Sequence, residues 1–250
     1  MSIERELARL RVPAPAHLAD GVALGLGLVD GYGVFDSPIG AVVVAFNPGG
    51  ISMVDLADDR FERRFGDLTG RRLVEARPPA AWGSRIARAI ERGTPSRLPL
   101  DLRSVTPFRR EVLLQATTIP RGEVRPYGWL AGRIGRPRAT RAVGSAMASN
   151  PVPLIVPCHR VVRSDGRIGD YSLGGPGNKR RLLEAEGLEP THLEDLAARH
   201  VRYLGSTSTG VYCLPTCRHA RRITARHLVE LHSPAEADSL GLRPCAVCRP

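Results

Sequence analysis

The stretch NPVPLIVPCHRVV, residues 150–162, contains three prolines and the first cysteine of a 250-residue chain. Proline has no amide hydrogen and restricts the residue before it, so the stretch predicts an extended backbone that leads to Cys158. A lone cysteine is usually a small buried side chain, but His159 and Arg160 follow at once and would favour a thiolate. With a carboxylate such as Glu186 to orient the imidazole, these residues could act as nucleophile, base and orienting group in covalent catalysis.

The segment before this stretch predicts three helices. Thr106 can cap the first helix, with Pro107 at its first position, and the helix continues to Thr118. A second helix over residues 126–134 and a third over 138–149 are joined by a tight turn with glycine and proline, which is typical of a helix-turn-helix. The third helix is rich in small side chains, which suit either a close approach to a DNA groove or close packing against another helix.

The first hundred residues predict a small α+β unit. Apolar runs separated by turn residues over 30–57 indicate a meander of antiparallel strands. Helical periodicity follows at about 58–66 and 80–92, and residues 98–105 predict a further strand. Residues 1–11 predict an amphipathic helix rather than a signal peptide, because charged residues alternate with leucine and isoleucine. This part has no charge excess and no cluster of reactive residues, so we expect it to be a supporting domain with a structural role.

Basic residues are concentrated in one segment. The chain has 36 basic and 25 acidic residues, a net charge of +11. Residues 105–187 carry 14 basic and 6 acidic side chains, a net +8, whereas residues 1–104 carry +1 and residues 188–250 carry +2. Genome base content could raise the arginine total but not cluster it, so we expect a polyanionic partner, double-stranded DNA. No run reaches the roughly 18 apolar residues of a membrane span, so we expect no membrane association and a cytoplasmic protein, nucleoid-associated when bound to DNA.

The other four cysteines lie within the last 38 residues. They form two pairs, Cys213-x3-Cys217 and Cys245-x2-Cys248, with 27 residues between them, a spacing typical of a four-cysteine zinc site. Two disulfides are the alternative, but they require an oxidising compartment that nothing else in the sequence indicates. A structural zinc ion would let a segment of about 50 residues fold around a very small core.

Four motifs together resemble the O6-alkylguanine-DNA alkyltransferase family. Besides NPVPLIVPCHRVV they are IPRGEVRPY at 119–127, RAVGSAM at 141–147 and LLEAEG at 182–187, in the order and spacing of that family. The resemblance implies a protein that takes the alkyl group from O6-alkylguanine, and from O4-alkylthymine, in DNA. It also implies that the protein is consumed in the reaction.

The resemblance assigns the chemistry to a few residues. Cys158 would accept the alkyl group and become a stable thioether. His159, acting through a water molecule, and Glu186 would promote the thiolate. Asn150 would brace the turn that carries the active site.

The resemblance also implies residues that bind the DNA and the lesion. A target atom inside a duplex is inaccessible, so the base must be flipped out at a cost of a few kcal/mol. Tyr127 would lie beside the flipped base and donate a proton to it as it leaves. Arg141 would enter the base stack in its place, a contact that offsets the cost. Arg138 would contact the DNA, and the backbone at Val161 and Ser172 would line the guanine pocket.

The cysteine-rich end resembles the metal-binding methyl-acceptor domain of the Ada response proteins. The matching residues are TGVYCLPTCR at 209–218, PAEA at 234–237 and GLRPCAVCRP at 241–250. The resemblance implies that Cys213 accepts a methyl group from a methyl phosphotriester in the DNA backbone. Four thiolates on one Zn²⁺ leave a net charge of −2, which would keep one of them nucleophilic. Candidate contacts to the DNA backbone are Thr209, Arg218 and Arg221.

Together the resemblances predict an α+β chain of three domains. They are a ribonuclease-H-like N-terminal domain over 1–104, a helical, winged-helix-like DNA-binding and active-site domain over 105–190, and a small zinc domain over 198–250. The leading hypothesis is a single-turnover DNA-repair methyltransferase with two acceptor cysteines, one Zn²⁺ and no organic cofactor, acting as a monomer on DNA with alkylated bases or phosphates. The alternatives are a passive zinc clamp beside an active Cys158, or a non-catalytic DNA-binding protein that senses alkylation.

Overall fold

Residues 16–95 and 97–250 are described by a computed structural model in which helices and strands alternate along the chain. The mixed α+β character predicted from the sequence is confirmed. The helix predicted over residues 1–11 lies outside the described residues. Within the described part of the chain, no helix combines the length and the apolarity that crossing a membrane requires.

The N-terminal part forms a four-stranded sheet with helices. Its elements are α1 (Ala16–Gly25), β1 (Asp30–Phe35), β2 (Val42–Asn47), β3 (Gly50–Leu56), α2 (Phe61–Thr69), β4 (Leu73–Glu75) and α3 (Ala80–Arg92). The strand order is β3-β2-β1-β4, with β1 antiparallel to β2 and parallel to β4. Every residue of β2 is buried, so both faces of the sheet are covered at this strand.

The sequence predicted most of this part correctly. The meander and both helices are confirmed, whereas the strand predicted over residues 98–105 is wrong. A single bridge forms there among the described residues, between Ile51 and Leu100. Pro99 lacks the amide hydrogen that a ladder needs, and Asp101 directs its buried carboxylate into a polar cluster. The sequence pattern did not predict α1 or β4.

This buried polar cluster connects the sheet to the segment after α3. Asn47 Nδ2 donates hydrogen bonds to Asp30 and Asp101, each 2.8 Å long. The Asp30 carboxylate also accepts from Ser52 Oγ at 2.5 Å and from Arg71 Nε at 2.6 Å. A fully buried carboxylate is tolerated only where hydrogen bonds and a counter-charge replace water. Arg71 supplies that counter-charge to Asp30, whose side chain is fully buried.

The middle of the chain is mainly helical. It contains α4 (Pro107–Ala116), β5 (Arg125–Pro126), α5 (Tyr127–Arg133), α6 (Thr140–Ala148), β6 (Val161–Val162) and α7 (Gly175–Ala185). The three predicted helices, α4 to α6, are confirmed to within two residues at each end. Thr106 caps α4 as predicted and accepts a hydrogen bond from Arg109 N at 3.4 Å. The short strands β5 and β6 pair in parallel, with Arg125 opposite Val161.

The C-terminal part is a second small α+β unit. It contains α8 (Pro190–Ala198), β7 (Tyr203–Ser206), β8 (Val211–Cys213), β9 (Leu228–Leu231), α9 (Pro234–Ser239) and β10 (Arg243–Pro244). The strand order is β10-β8-β7-β9. The four cysteines of this unit are buried together with apolar residues such as Leu196 and Leu204. Because the core is small, the fold of the unit depends on what holds the cysteines together.

The Arg71→Met substitution leaves the Asp30 carboxylate without its counter-charge. We expect it to lower the free energy of unfolding by about 3–5 kcal/mol, because an uncompensated charge stays buried. Urea denaturation followed by circular dichroism measures the change. The matched control Arg72→Met removes an exposed arginine that pairs with the exposed Asp20, and its expected loss is below about 1 kcal/mol. Equal losses in the two variants would show that the buried cluster does not stabilise the chain.

Candidate active site and metal centre

The stretch before Cys158 is a compact turn, so the predicted extended backbone is wrong. Val156 N donates to Val152 O at 2.9 Å, and Leu154 between them has a φ of 69°. This left-handed conformation costs a leucine about 1–3 kcal/mol, so the surrounding contacts must enforce it. A 3₁₀ turn, Cys158–Arg160, then leads into β6.

The side chain of Asn150 forms hydrogen bonds at both ends of the turn. Its Oδ1 accepts from Val152 N at 3.0 Å, and its Nδ2 donates to Val156 O at 3.0 Å and to Cys158 Sγ at 3.2 Å. Cys158 is only 4% exposed. Burial raises the pKa of its thiol, and the Asn150 hydrogen bond and the charge of Lys179 oppose this rise only in part. The thiol therefore needs a base to take its proton at neutral pH.

His159, Glu186 and Arg160 form a buried polar chain next to this thiol. His159 Nε2 lies 2.9 Å from Glu186 Oε1, and Arg160 donates to both oxygens of Glu186. Burial alone would raise the pKa of Glu186, but the hydrogen bonds from His159 and Arg160 hold it at about 2. Burial lowers the pKa of His159, so its imidazole is neutral at pH 7.

The tautomer of His159 follows from this contact. A carboxylate only accepts hydrogen bonds, so Nε2 carries the hydrogen and Nδ1 presents a lone pair. Nδ1 is buried and has no hydrogen-bond partner among the described residues. A neutral imidazole with a free basic nitrogen, on the residue that directly follows a buried thiol, can serve as a general base through a water molecule.

Arg160 also connects the active site to the N-terminal part. Its Nη1 donates to Gly93 O at 3.0 Å and to Ile119 O at 2.8 Å, and its Nη2 donates to Arg92 O at 2.5 Å. Gly93 has a φ of 61°, and a Cβ at this position would lie 2.3 Å from the guanidinium. The sequence indicated Arg160 only as a nearby cation. The structure shows that it joins three segments of the chain.

Two further buried groups belong to the site and were not predicted in these roles. Lys179 Nζ donates to the carbonyls of Val161 and Ile168, each at 2.7 Å, and burial lowers its pKa to about 8. Tyr171 is buried, and its hydroxyl has no hydrogen-bond partner among the described residues. Burial and the neighbouring Cys158 raise the pKa of Tyr171 well above its usual range. One signal was available for Lys179, since it is the only lysine beside 35 arginines.

Cys158 lines an open pocket of about 440 Å³. Residues of α5, of α6 and of the loop before α7 line it, among them Tyr127, Gly144, Met147, Tyr171 and Ser172. The pocket therefore contains two predicted residues, Tyr127 and Ser172. Burial raises the pKa of Tyr127, so its hydroxyl is protonated and can donate.

The other predicted residues of this region lie around the pocket rather than in it. Arg138 and Arg141 are exposed, before and within α6. Val161 is buried in β6, and its carbonyl is occupied by Lys179.

The four C-terminal cysteines form one compact cluster, as predicted from their spacing. The Sγ atoms of Cys213, Cys217, Cys245 and Cys248 all lie within 4.8 Å of one another, and each residue is buried. A hydrogen bond between Cys213 and Cys248 raises the pKa of the first thiol and lowers that of the second to about 6. The sulfurs thus compete for protons, and four buried thiolates can coexist only around a cation. A closed set of four sulfur donors fits a metal such as Zn²⁺.

Two of these cysteines line an open groove of about 690 Å³. They are Cys213 and Cys245, whereas Cys217 and Cys248 do not border it. Three arginines, Arg222, Arg226 and Arg243, also line the groove, together with His219 and His227. The two cysteines are only 2% and 5% exposed, so the groove brings a positively charged surface to the edge of the buried cluster.

The predicted DNA contacts of this unit divide into two groups. Thr209 lines the groove, but Arg218 and Arg221 do not. Arg221 donates to the carbonyl of Gly122, and Arg218 N donates to Glu123 Oε1 at 3.3 Å. Both residues thus contact the middle of the chain, and these long-range contacts have no local signal in the sequence.

Two family models match the chain. The model described as "6-O-methylguanine DNA methyltransferase, DNA binding domain" matches residues 107–188. The model described as "Metal binding domain of Ada" matches residues 192–250. The first contains the Cys158 pocket and the second contains the four-cysteine cluster.

Curated relatives match the same regions. The "Bifunctional transcriptional activator/DNA repair enzyme Ada" of Escherichia coli is 37% identical over 174 residues, which are 65% of this chain and 47% of that protein. The chain therefore spans about half the length of this relative. The methylated-DNA--protein-cysteine methyltransferase of Mycobacterium tuberculosis is 36% identical over 159 residues, 62% of this chain and 91% of that protein.

Solved structures agree with these matches. The Mycobacterium tuberculosis OGT protein in complex with DNA has a TM-score of 0.50 and 34% identity, covering 67% of this chain and 98% of that chain. The O6-methylguanine-DNA methyltransferase of the archaeon Pyrococcus kodakaraensis has a TM-score of 0.51 and 31% identity, covering 64% of this chain and all of that one. Because the relatives of this size match over nearly their whole length at more than 30% identity, and a metal-binding model of Ada matches residues 192–250, the chain belongs to the methylated-DNA--protein-cysteine methyltransferase family and also carries a metal-binding domain of the Ada type.

Proposed function

We propose that this chain is a single-turnover DNA-repair protein that moves the alkyl group of O6-alkylguanine, and of O4-alkylthymine, onto Cys158. One observation carries the proposal. Cys158 lines a pocket of about 440 Å³, and the next residue, His159, is a neutral histidine whose Nδ1 has no partner among the described residues. A protein that only sensed alkylation would not need a base oriented by a buried carboxylate, so the non-catalytic alternative is not favoured.

The reaction follows from the protonation states of these groups. The Cys158 proton passes through a water molecule to Nδ1 of His159, and Glu186 stabilises the imidazolium that forms. The thiolate sulfur attacks the alkyl carbon, so a sulfur–carbon bond forms while the bond from carbon to guanine O6 breaks. Tyr127 donates a proton to the leaving guanine and regains one from solvent as His159 loses its own. The products are unmodified guanine and a thioether, which has no easy leaving path, so each molecule acts once.

Base flipping is the proposed route of the lesion into the pocket. Residues of α6, among them Gly144 and Met147, contribute to the pocket wall, so a base extruded beside α6 would reach Cys158. Arg141 would fill the vacated position in the stack, and Arg138 would bind the phosphate backbone. Ser172 and the backbone near Val161 would surround the guanine.

The proposed domain organisation follows the predicted one. A ribonuclease-H-like domain comprises residues 1–104, a winged-helix-like domain comprises 105–190, and the metal unit comprises 198–250. The proposed partner is double-stranded DNA with alkylated bases or phosphates, bound by one monomer. The free cysteines of the chain suit a reducing cytoplasm.

A second acceptor activity is proposed for the metal unit. One Zn²⁺ bound by the four cysteines would keep their sulfurs ionised at neutral pH. Cys213 lines the basic groove, so we propose that it accepts the methyl group of a methyl phosphotriester. Thr209, Arg222 and Arg243 would bind the flanking phosphates. The groove also suits a passive clamp on DNA, so experiment must separate the two readings.

The Cys158→Ala substitution tests the main activity. After incubation with an O6-methylguanine duplex, mass spectrometry of peptides should find one methyl group on the Cys158 peptide of the wild type and none in the variant. The control Cys213→Ser leaves the residues of the pocket unchanged and should still place one methyl group on the Cys158 peptide. Full removal of the lesion by Cys158→Ala would disprove the proposal.

The low pKa of Glu186 predicts how stability depends on pH. Its folded pKa of about 2 lies below its ordinary value of 4.5, so the carboxylate stabilises the fold above pH 4.5. That contribution, about 3 kcal/mol, is lost as the pH falls from about 4.5 to about 2. In Glu186→Gln, the free energy of unfolding at pH 7 should be lower than in the wild type, and it should depend less on pH between about 4.5 and about 2. Urea denaturation at several pH values measures both effects. The control Glu184→Gln removes an exposed carboxylate of the same helix and should keep the wild-type slope.

The Cys213→Ser substitution tests the second acceptor. With a duplex that carries methyl phosphotriesters, the wild type should gain a methyl group on Cys213, and the variant should gain none in this unit while Cys158 stays active. Metal content, measured by a chromophoric chelator, shows whether the site remains loaded. A metal-loaded wild type that accepts no methyl group from the phosphotriester would establish the passive clamp instead.

A further inference from the structure

The metal unit contacts the strand that pairs with the end of the active-site turn. Thr216, which lies between the metal ligands Cys213 and Cys217, accepts a hydrogen bond from Val124 N at 2.9 Å and donates one to Val124 O at 3.2 Å. Val124 directly precedes β5, and β5 pairs with β6, which follows the Cys158–Arg160 turn. One threonine hydroxyl thus bonds to both backbone groups of a buried residue, and Arg125 Nη1 is a second donor to the Val124 carbonyl, at 2.8 Å.

A second contact connects the metal cluster to α5. Trp129 Nε1 donates to the carbonyl of the ligand residue Cys248 at 2.8 Å, and the Trp129 ring packs against the core that contains the four cysteines. The guanidinium groups of Arg125 and Arg133 lie 5.5 and 5.8 Å from the centre of this ring. Trp129 lies two residues after Tyr127 on the same short helix. The helix that carries Tyr127 into the pocket is therefore attached to a metal ligand.

The interface between the metal unit and the middle of the chain includes a buried ion pair. Glu123 and Arg125 form an ion pair at its edge, and their side chains are 5% and 2% exposed. The second Glu123 oxygen accepts the backbone N–H of Arg218 from the metal unit. Burying two charges at a surface is costly unless their hydrogen bonds are complete. The metal unit therefore supplies one of the hydrogen bonds that offset the burial of this pair.

We propose that Thr216 and Trp129 are positioning residues for alkyl transfer to Cys158, and that metal loading of the four cysteines sets their positions. The metal ligands determine the conformation of the loop that carries Thr216 and the place of the Cys248 carbonyl. Thr216 orders β5 through Val124, and β5 pairs with β6. The Cys248 carbonyl orders α5 through Trp129, and α5 carries Tyr127. The inference rests on the proposed reaction at Cys158, but not on methyl transfer to Cys213.

Thr216→Val tests the first contact, because valine keeps the shape of threonine but leaves Val124 N unpaired and leaves Val124 O with only its bond from Arg125 Nη1. Displacement of a catalytic group by about 1 Å can cost as much as 100-fold in rate, so we expect the single-turnover rate constant at saturating O6-methylguanine duplex to fall about tenfold or more. The half-saturating duplex concentration should not change, because Thr216 is buried. Thr216→Ser retains the hydroxyl and should restore the rate. Thr207→Val, whose hydroxyl contacts His227 within the metal unit, is the matched control and should react like the wild type.

Trp129 itself reports the second contact. Trp82→Phe removes the other tryptophan of the chain, so fluorescence then comes from Trp129 alone. Chelation of the metal should shift its emission to longer wavelength, because the indole loses the Cys248 carbonyl and becomes hydrated, and added Zn²⁺ should reverse the shift. Trp129→Phe keeps the aromatic packing without the N–H group and should slow transfer as Thr216→Val does. Trp129→Phe therefore tests the proposal if Thr216→Val fails to fold.

Wild-type rate constants in the metal-loaded Thr216→Val and Trp129→Phe proteins would overturn the proposal. Emission from Trp129 that does not respond to metal removal would also overturn it. If the wild type fails to methylate Cys158 at all, the proposed function has failed. In that case a reversible emission shift still supports the coupling between metal and α5, and its absence refutes that coupling.

Discussion

The carboxylate of Glu186 is the group on which the rest of the active site depends. It lies at the end of α7, where it accepts hydrogen bonds from His159, Arg160 and the backbone N–H of Gly122. Through His159 it sets the tautomer of the base. Through Arg160 it orders the carbonyls at the end of α3, so the N-terminal part is attached to the same charge. A buried ion pair stabilises little relative to an apolar pair, but loss of one partner is severe, and this couples the integrity of the fold to the integrity of the base.

Lys179 provides the second buried charge near Cys158, and its chemistry explains why it is a lysine. Its ammonium group donates to three carbonyl oxygens, those of Val161, Ile168 and Asp170. A compact ammonium with three donors suits three converging carbonyls, whereas a planar guanidinium does not. This explains why a chain with 35 arginines has its single lysine here. The charge favours the thiolate of Cys158 while burial opposes it, so the thiol remains protonated until the base acts.

Local signals predicted the parts of this molecule that local interactions determine. Thr106 and Pro107 mark the start of α4, and the spacing of the cysteines identifies their cluster. The roles of Tyr127 and Asn150 came from the family resemblance, and the geometry places both at the site. The turn at 151–157 was not predictable from its prolines, because it is closed by a backbone hydrogen bond between Val156 and Val152 and by the side chain of Asn150. Contacts such as Thr216 with Val124 were not predictable either, since their partners are 92 residues apart.

The two proposed acceptor cysteines would obtain their nucleophilicity in opposite ways. Burial raises the pKa of the Cys158 thiol, so this thiol needs a base, and its pocket needs no excess negative charge. The proposed acceptor Cys213 belongs to a site that four thiolates make negative, and this repels the DNA phosphates it must approach. Residues 188–250 carry a net charge of only +2, whereas residues 105–187 carry +8. Contact through Thr216 and Trp129 places the metal unit beside the strongly basic segment, so affinity for DNA can come from one unit and the second nucleophile from the other.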